Sequence, residues 1–156
     1  FVRNPFDRLV SAYNNKILEL DDVPGPMQAM GLSHGMAFSD FLECIAGTMD
    51  AAIDVHLLPQ SSILCLDGQL IPSFIGRLET METDWQRLET RLKQERLPPL
   101  GHLPEKNRRR GDDHTDVSQY FADSGLVQLV VDRYRDDLEL FYSDVDLQQL
   151  SRGRLE

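Results

Sequence analysis

Three side chains near the start of the chain, Arg3, Arg8 and Ser11, have the chemistry of an anion site. They lie in the string Phe1-Val-Arg-Asn-Pro-Phe-Asp-Arg-Leu-Val-Ser-Ala-Tyr13. An arginine offers a planar fork of donors that fits a phosphate bidentately. Asn4 followed by Pro5 is a helix start, an N-cap and a first-turn proline. The first N–H groups of such a helix are unpaired and carry partial positive charge, so an anion is favoured there. Ser11 falls almost two turns after Asn4 and shares its helix face with Arg8 and Asn15, where a hydroxyl can give the same anion a second bond. The plainer reading stands beside this one. An arginine before a helix also suits a solvated or ion-paired side chain, and a helical serine also bonds its own backbone.

His56 is the next candidate, in Asp54-Val-His-Leu-Leu-Pro-Gln60. A neutral imidazole has the right pKa to take a proton from a hydroxyl; a core histidine bonded to backbone fits the same context. Gln60 suits a substrate contact or a cap. Lys106-Asn-Arg-Arg-Arg110 reads either as a solvated basic loop or as a loop whose Arg108 and Arg110 close over an anion. Arg77 and Glu79 are two apart on an expected strand and share a face, which predicts an ion pair, with Glu79 as a base or substrate contact the alternative. His34, His102 and His114 are scattered, and no spacing suggests zinc, so no metal is expected. Cys44 and Cys65 allow one bridge or two buried thiols.

The elements that must position these groups follow from periodicity. Phe1 to Arg3 read as a strand end. Phe6, Leu9, Val10, Tyr13 and Ile17 recur at helical steps and predict a helix to about Leu20. A Gly- and Pro-rich loop spans Asp21 to Gly35. Ser39 is the expected cap of a second helix, with Phe41, Leu42 and Ile45 inward and Gly47 at its end. Ile63 to Ile75 read as a hairpin around Asp67-Gly68, its second arm limited by Pro72. A helix from about Glu82 to Glu95 places Trp85, Leu88 and Leu92 inward and stops at Pro98-Pro99. Ser124 caps the last clear helix, striped by Leu126, Val127, Val130, Val131, Tyr134, Leu138 and Phe141. The closing polar residues are expected to fray.

Composition sets outer bounds. The chain has 156 residues, 41% hydrophobic and 27% charged, near globular averages and enough for one domain. With 26 acidic and 16 basic residues the net charge is −10, which argues against nucleic acid as a partner. No apolar run approaches the length of a transmembrane helix. No Asn-x-Ser/Thr sequon occurs.

The opening string resembles the Phe-x-Arg-(Asp/Asn)-Pro-x-(Glu/Asp)-Arg-Leu-x-Ser signature of carbohydrate sulfotransferases, the Golgi-type group that includes chondroitin and HNK-1 sulfotransferases and bacterial relatives. Three further segments are similar, in the same order. Asp54 to Gln60 is similar to that family's His-Trp-x-Pro-Gln element, with Leu57 in place of the Trp. Phe74-Ile-Gly-Arg-Leu-Glu79, followed by Asp84, is similar to its Phe-Ile-Gly-x-x-Glu strand and acidic helix. Tyr134-Arg-Asp-Asp-Leu-Glu-Leu-Phe141 is similar to its Tyr-x-x-Asp-x-x-x-Phe helix.

The resemblance implies an α/β fold of the P-loop nucleotide-kinase-like type, mostly helical over this stretch, with a few strands of a parallel sheet. It implies sulfuryl transfer from 3′-phosphoadenosine-5′-phosphosulfate (PAPS) to a carbohydrate hydroxyl. In the family the Arg and the Ser eight residues later grip the 3′-phosphate, and they fall on Arg3 and Ser11; Arg8, Arg108 and Arg110 are further cofactor candidates, and His56 is the candidate base. Residues 1–142 read as the C-terminal part of one sulfotransferase domain and 143–156 as a polar tail. No Gly-Lys-Ser/Thr cluster occurs, so the family's 5′-phosphosulfate loop is expected before Phe1. A bacterial cytoplasmic enzyme and a Golgi luminal domain both fit. The rival readings are a non-catalytic nucleotide- or glycan-binding module and a P-loop kinase relative acting on phosphate.

Overall fold

A computed structural model describes residues 1–101 and 116–153. The chain opens with α1, Pro5–Ala12, which continues without a break into a π-helical segment, Tyr13–Glu19. Short α2, Gly25–Ala29, leads to α3, Phe38–Gly47. Next come α4, Gln60–Leu64, and a hairpin of β1, Cys65–Leu66, and β2, Gln69–Leu70. Then follow α5, Met81–Gln94, a 3-10 turn at Val117–Gln119, α6, Ser124–Arg133, α7, Arg135–Phe141, and α8, Leu147–Ser151.

The apolar stripe of the first helix sets the core. Phe6, Leu9, Val10, Tyr13 and Ile17 are buried, and α3 adds Phe41, Leu42 and Ile45. Rings from three segments meet edge to face: Phe6 on Phe121 at 4.9 Å, and Phe38 on Tyr120 at 4.8 Å and on Tyr13 at 5.1 Å. Such pairs add about 0.5–1.5 kcal/mol each beyond their buried area. In the π-helical segment Tyr13, Asn14 and Ile17 are all buried. Asn14 accepts from the Tyr120 hydroxyl at 2.9 Å and the Tyr13 hydroxyl donates to the Met36 carbonyl at 2.7 Å, tying the segment to its neighbours.

Several expectations change at this level. The parallel sheet is reduced, among the described residues, to one parallel bridge between Val2 and Arg77; the only ladder is the antiparallel hairpin. On its C-terminal side the extended segment is ended by Pro5, which starts α1. The hairpin turns at Asp67 and Gly68, both at positive φ, as Asp-Gly requires, but its arms are two residues each. Ala37 rather than Ser39 stands at the cap of α3, and Asp123 rather than Ser124 caps α6, accepting from the Gly125 N–H at 2.7 Å. The expected long last helix breaks at Tyr134, whose φ of −114° and ψ of 28° are non-helical. Trp85, Leu88 and Leu92 are only half-buried, and the sole buried residue of α5 is Asp84. Finally, the tail past Tyr142 folds back: α8 buries Leu150, and the Leu150 carbonyl accepts from the Asn4 side chain at 2.8 Å. Both cysteines are free and half-buried.

Candidate anion and acid–base site

Successive residues of a strand direct their N–H and C=O groups to opposite edges, and Val2, Arg3 and Asn4 show what fills each edge. On one side, the Val2 N–H donates to the Gly76 carbonyl and the Leu78 N–H to the Val2 carbonyl, each at 2.8 Å. On the other side no strand pairs among the described residues, and the Gln60 side-chain amide takes that place. Its Oε1 accepts from the Arg3 N–H at 2.9 Å and its Nε2 donates to the Arg3 carbonyl at 2.8 Å. The Asn4 N–H, back on the first side, donates to Glu79 Oε1 at 2.6 Å. Phe1 explains Gly76: a Cβ there would collide with the Phe1 ring, which stacks on Trp85 with centroids 6.2 Å apart.

The helix start is filled from within. Asn4 is fully buried; its Oδ1 accepts from the Phe6 N–H at 3.1 Å and its Nδ2 donates to Asp7 Oδ2 at 2.7 Å. With Glu79 and Asp7 beside it and the Leu150 carbonyl over it, the terminus already has negative partners. An anion drawn to this region is therefore met by side chains rather than by the helix end. Burial raises the Asp7 carboxyl above the usual carboxylate range, and the Glu79 charge adds to that, against the opposing pull of Arg3 and the Asn4 bond. Tyr142 donates to Glu79 Oε2 at 3.1 Å, and burial, with Glu79, pushes its hydroxyl far above the ordinary tyrosine value.

Arg3 is half-buried, and among the described residues its guanidinium has neither a hydrogen-bond nor an ion-pair partner. Its charge acts on Asp7 and Arg8, which places it over the first turns of α1. The Ser11 hydroxyl is likewise half-buried and unpartnered among the described residues. Arg8 is different. Its guanidinium donates to the Leu58 carbonyl at 2.6 Å and the Val55 carbonyl at 3.2 Å, holding the 54–58 turn against α1. Burial holds its pKa below the usual arginine value; Tyr134 and Asp137 oppose that, and the Arg3 charge adds to it.

That turn presents His56. Asp54 Oδ1 accepts from the His56 main-chain N–H at 2.9 Å and lies 2.7 Å from His56 Nδ1. The His56 side chain is 57% exposed and Asp54 takes its Nδ1 edge, while Asp54 itself is 7% exposed. Histidine in the core is thus not what the structure shows. Leu57 points the other way and is 1% exposed. Its carbonyl accepts from the Tyr134 hydroxyl at 2.6 Å, and burial raises that hydroxyl's pKa.

Arg77 and Glu79 do not pair with each other. Arg77 forms an ion pair with Asp144, donates from Nε to the Phe141 carbonyl at 2.9 Å and lies 4.9 Å above the Tyr142 ring. The reason is that no strand continues past the isolated bridge at Arg77: Glu79 lies in the following turn and accepts from the Asn4 N–H, while Arg77 reaches the end of α7. Arg108 and Arg110 lie outside the described residues. Sequence reasoning missed Asp137, which is fully buried. Its carboxylate accepts from the Gln60 N–H at 2.8 Å and the Ser61 N–H at 2.6 Å. It also missed Asp54 as the partner of His56; the i, i+2 Asp-x-His spacing was the available signal. Among the described residues, no group of three His, Cys, Asp or Glu could hold a metal ion, and no helix is long and apolar enough to cross a membrane.

The four segments singled out in the sequence thus meet at Arg3: α1, the 54–60 turn, the 74–79 segment and α7. The family model described as the sulfotransferase family matches residues 1–143, and the chain belongs to that family. No curated protein and no solved structure matches it.

Proposed function

Starting from membership of the sulfotransferase family, we propose that this protein moves a sulfuryl group from PAPS to a carbohydrate hydroxyl. In this reading Arg3 and Ser11 hold the 3′-phosphate and His56 is the base. The observation that carries it is the unpartnered guanidinium of Arg3 on a main chain bonded at both edges. A half-buried guanidinium that only feels the Asp7 charge, with no direct hydrogen-bond or ion-pair partner among the described residues and the second cation Arg8 close by, has donors to spare. A phosphate uses them, taking two parallel bonds from the Arg3 fork. The Ser11 hydroxyl is free to donate a further bond.

PAPS, when bound, supplies the activated sulfuryl group, and adenosine 3′,5′-bisphosphate is what remains of it after transfer. The chain's own part at the acceptor is proton removal. With the imidazole proton on Nδ1 facing Asp54, the lone pair lies on Nε2, where it can accept the proton of an attacking hydroxyl. General-base help of this kind contributes about 10²–10⁴-fold.

Calorimetric titration with adenosine 3′,5′-bisphosphate and with ATP tests the donor assignment. The bisphosphate should bind at least tenfold more tightly, and Arg3→Ala should remove most of that advantage. ATP binding as tightly as the bisphosphate would instead favour a kinase relative, and an unchanged bisphosphate affinity in Arg3→Ala would unseat Arg3.

A further inference from the structure

We propose that Gln60, fixed by Asp137, is a positioning residue that aims Arg3 at its anion, a role that rests on the anion site described above. Gln60 is not spare. Its amide makes a two-point contact with one residue, accepting from the Arg3 N–H at 2.9 Å and donating to the Arg3 carbonyl at 2.8 Å, across 57 residues of sequence. Those two groups belong to the peptide planes on either side of the Arg3 Cα. Holding both fixes φ and ψ there, and so fixes the direction of the Cα–Cβ bond from which the guanidinium extends.

The clamp is itself clamped. Asp137 Oδ2 accepts from the Gln60 main-chain N–H at 2.8 Å and lies 3.4 Å from its Nε2. Asp137 Oδ1 accepts from the Ser61 N–H at 2.6 Å, so the carboxylate sits across the first residues of α4. Because an Nε2 next to a carboxylate must be the amide nitrogen, the Gln60 amide has one orientation only: nitrogen toward Asp137 and the Arg3 carbonyl, oxygen toward the Arg3 N–H. Both polar atoms of Gln60 are then committed to the protein, which removes it as a direct contact to donor or acceptor. A Glu at 60 has no donor for the Arg3 carbonyl, and a Met has neither donor nor acceptor.

Positioning by outer residues is worth about 10–100-fold at metal sites, and small displacements of an oriented group elsewhere cost on a similar scale. Gln60→Met should therefore weaken binding of adenosine 3′,5′-bisphosphate by about tenfold or more. The decisive comparison is a double-mutant cycle with Arg3→Ala, followed by calorimetry. If Gln60 acts through Arg3, Gln60→Met costs less than about twofold once Arg3 is gone. An equal loss in both backgrounds would overturn the proposal, because Gln60 would then serve the ligand or the fold independently of Arg3. No loss in either background would overturn it as well. The anion assignment fails separately, through an Arg3→Ala single variant that binds like the wild type. Arg3→Lys replaces Arg3→Ala where binding falls below detection, since a single point charge cannot use the aimed fork. Should Gln60→Met not fold, Gln60→Asn keeps a neutral amide that falls one methylene short of the Arg3 main chain and carries the same expectation.

Discussion

Asp137 is the residue on which most of the buried architecture turns, and its removal should be costly. It is fully buried, and its two oxygens take the Gln60 N–H at 2.8 Å and the Ser61 N–H at 2.6 Å. In Asp137→Ala both main-chain donors lose their acceptor, and the short helix α4 has no other cap, since Pro59 at its start offers no side-chain bond. A buried donor left unsatisfied costs about 1–3 kcal/mol, so two cost about 2–6 kcal/mol. Against a typical net stability of about 5–15 kcal/mol, that is a large fraction. Asp137→Asn keeps one oxygen but turns an NH₂ toward the other donor, so it should lose about half as much. Urea unfolding followed by circular dichroism measures both, with the midpoint shift at constant slope as the readout. The order wild type, Asn, Ala is the expected result. An Asn variant within about 0.5 kcal/mol of wild type, the ordinary scatter for an uninvolved surface site, would refute the reasoning, because it would mean the two N–H groups find other partners.

Three further outcomes follow from the same geometry. Asp7 has a carboxyl raised above its unfolded value of about 3.9, chiefly by burial. Its contribution is therefore complete below about pH 4 and is lost as pH rises through the raised folded value. Asp7→Asn should flatten that decline, gaining stability relative to wild type between mildly acidic and neutral pH; denaturation midpoints across this range that run parallel in the two proteins would speak against it. On the proposed role of His56 as base, His56→Ala should lower turnover by about 10²–10⁴-fold, measured as release of adenosine 3′,5′-bisphosphate from PAPS with whichever acceptor a panel of carbohydrates shows to be sulfated, while affinity for the bisphosphate stays within about twofold. Asp54→Asn should cost less, about 10–100-fold, as outer partners of a histidine do.

Much of this site was legible in the sequence, because helix periodicity and cap chemistry are local. Asn4 before Pro5 marks the start of α1, and the Phe6 to Ile17 stripe marks its inner face. Asp67-Gly68 marks a turn that the backbone adopts at positive φ. What could not be read is long-range. The partner of the Arg3 main chain is a side chain 57 residues away, and the partner of that side chain is 77 residues further along. No periodicity carries such information. The break at Tyr134 belongs to the same class. A continuous helix would serve the apolar stripe equally well; the Tyr134 hydroxyl bond to the Leu57 carbonyl and the Asp137 bonds to Gln60 and Ser61 act together in the bent form. The ion pair expected between Arg77 and Glu79 failed for a related reason: the expected strand is a single bridge at Arg77 with Glu79 in the turn after it, and each charge takes a partner distant in sequence.

The departure at position 57 gains a different meaning from the same contacts. Leu stands there where the resemblance would place Trp, and it is the residue after the candidate base. The two side chains diverge: His56 is 57% exposed on the turn, whereas Leu57 is 1% exposed beneath it. What the 54–60 turn needs at 57 is apolar volume and a free carbonyl for the Tyr134 hydroxyl, and both survive the change from Trp to Leu. The orientation of His56 depends instead on Asp54 Oδ1 and on the Arg8 bonds to the Val55 and Leu58 carbonyls. Neither of those uses the side chain at 57. The Leu at 57 is thus held by the core, and the directions of Arg3 and His56 rest instead on Gln60, Asp54 and Arg8.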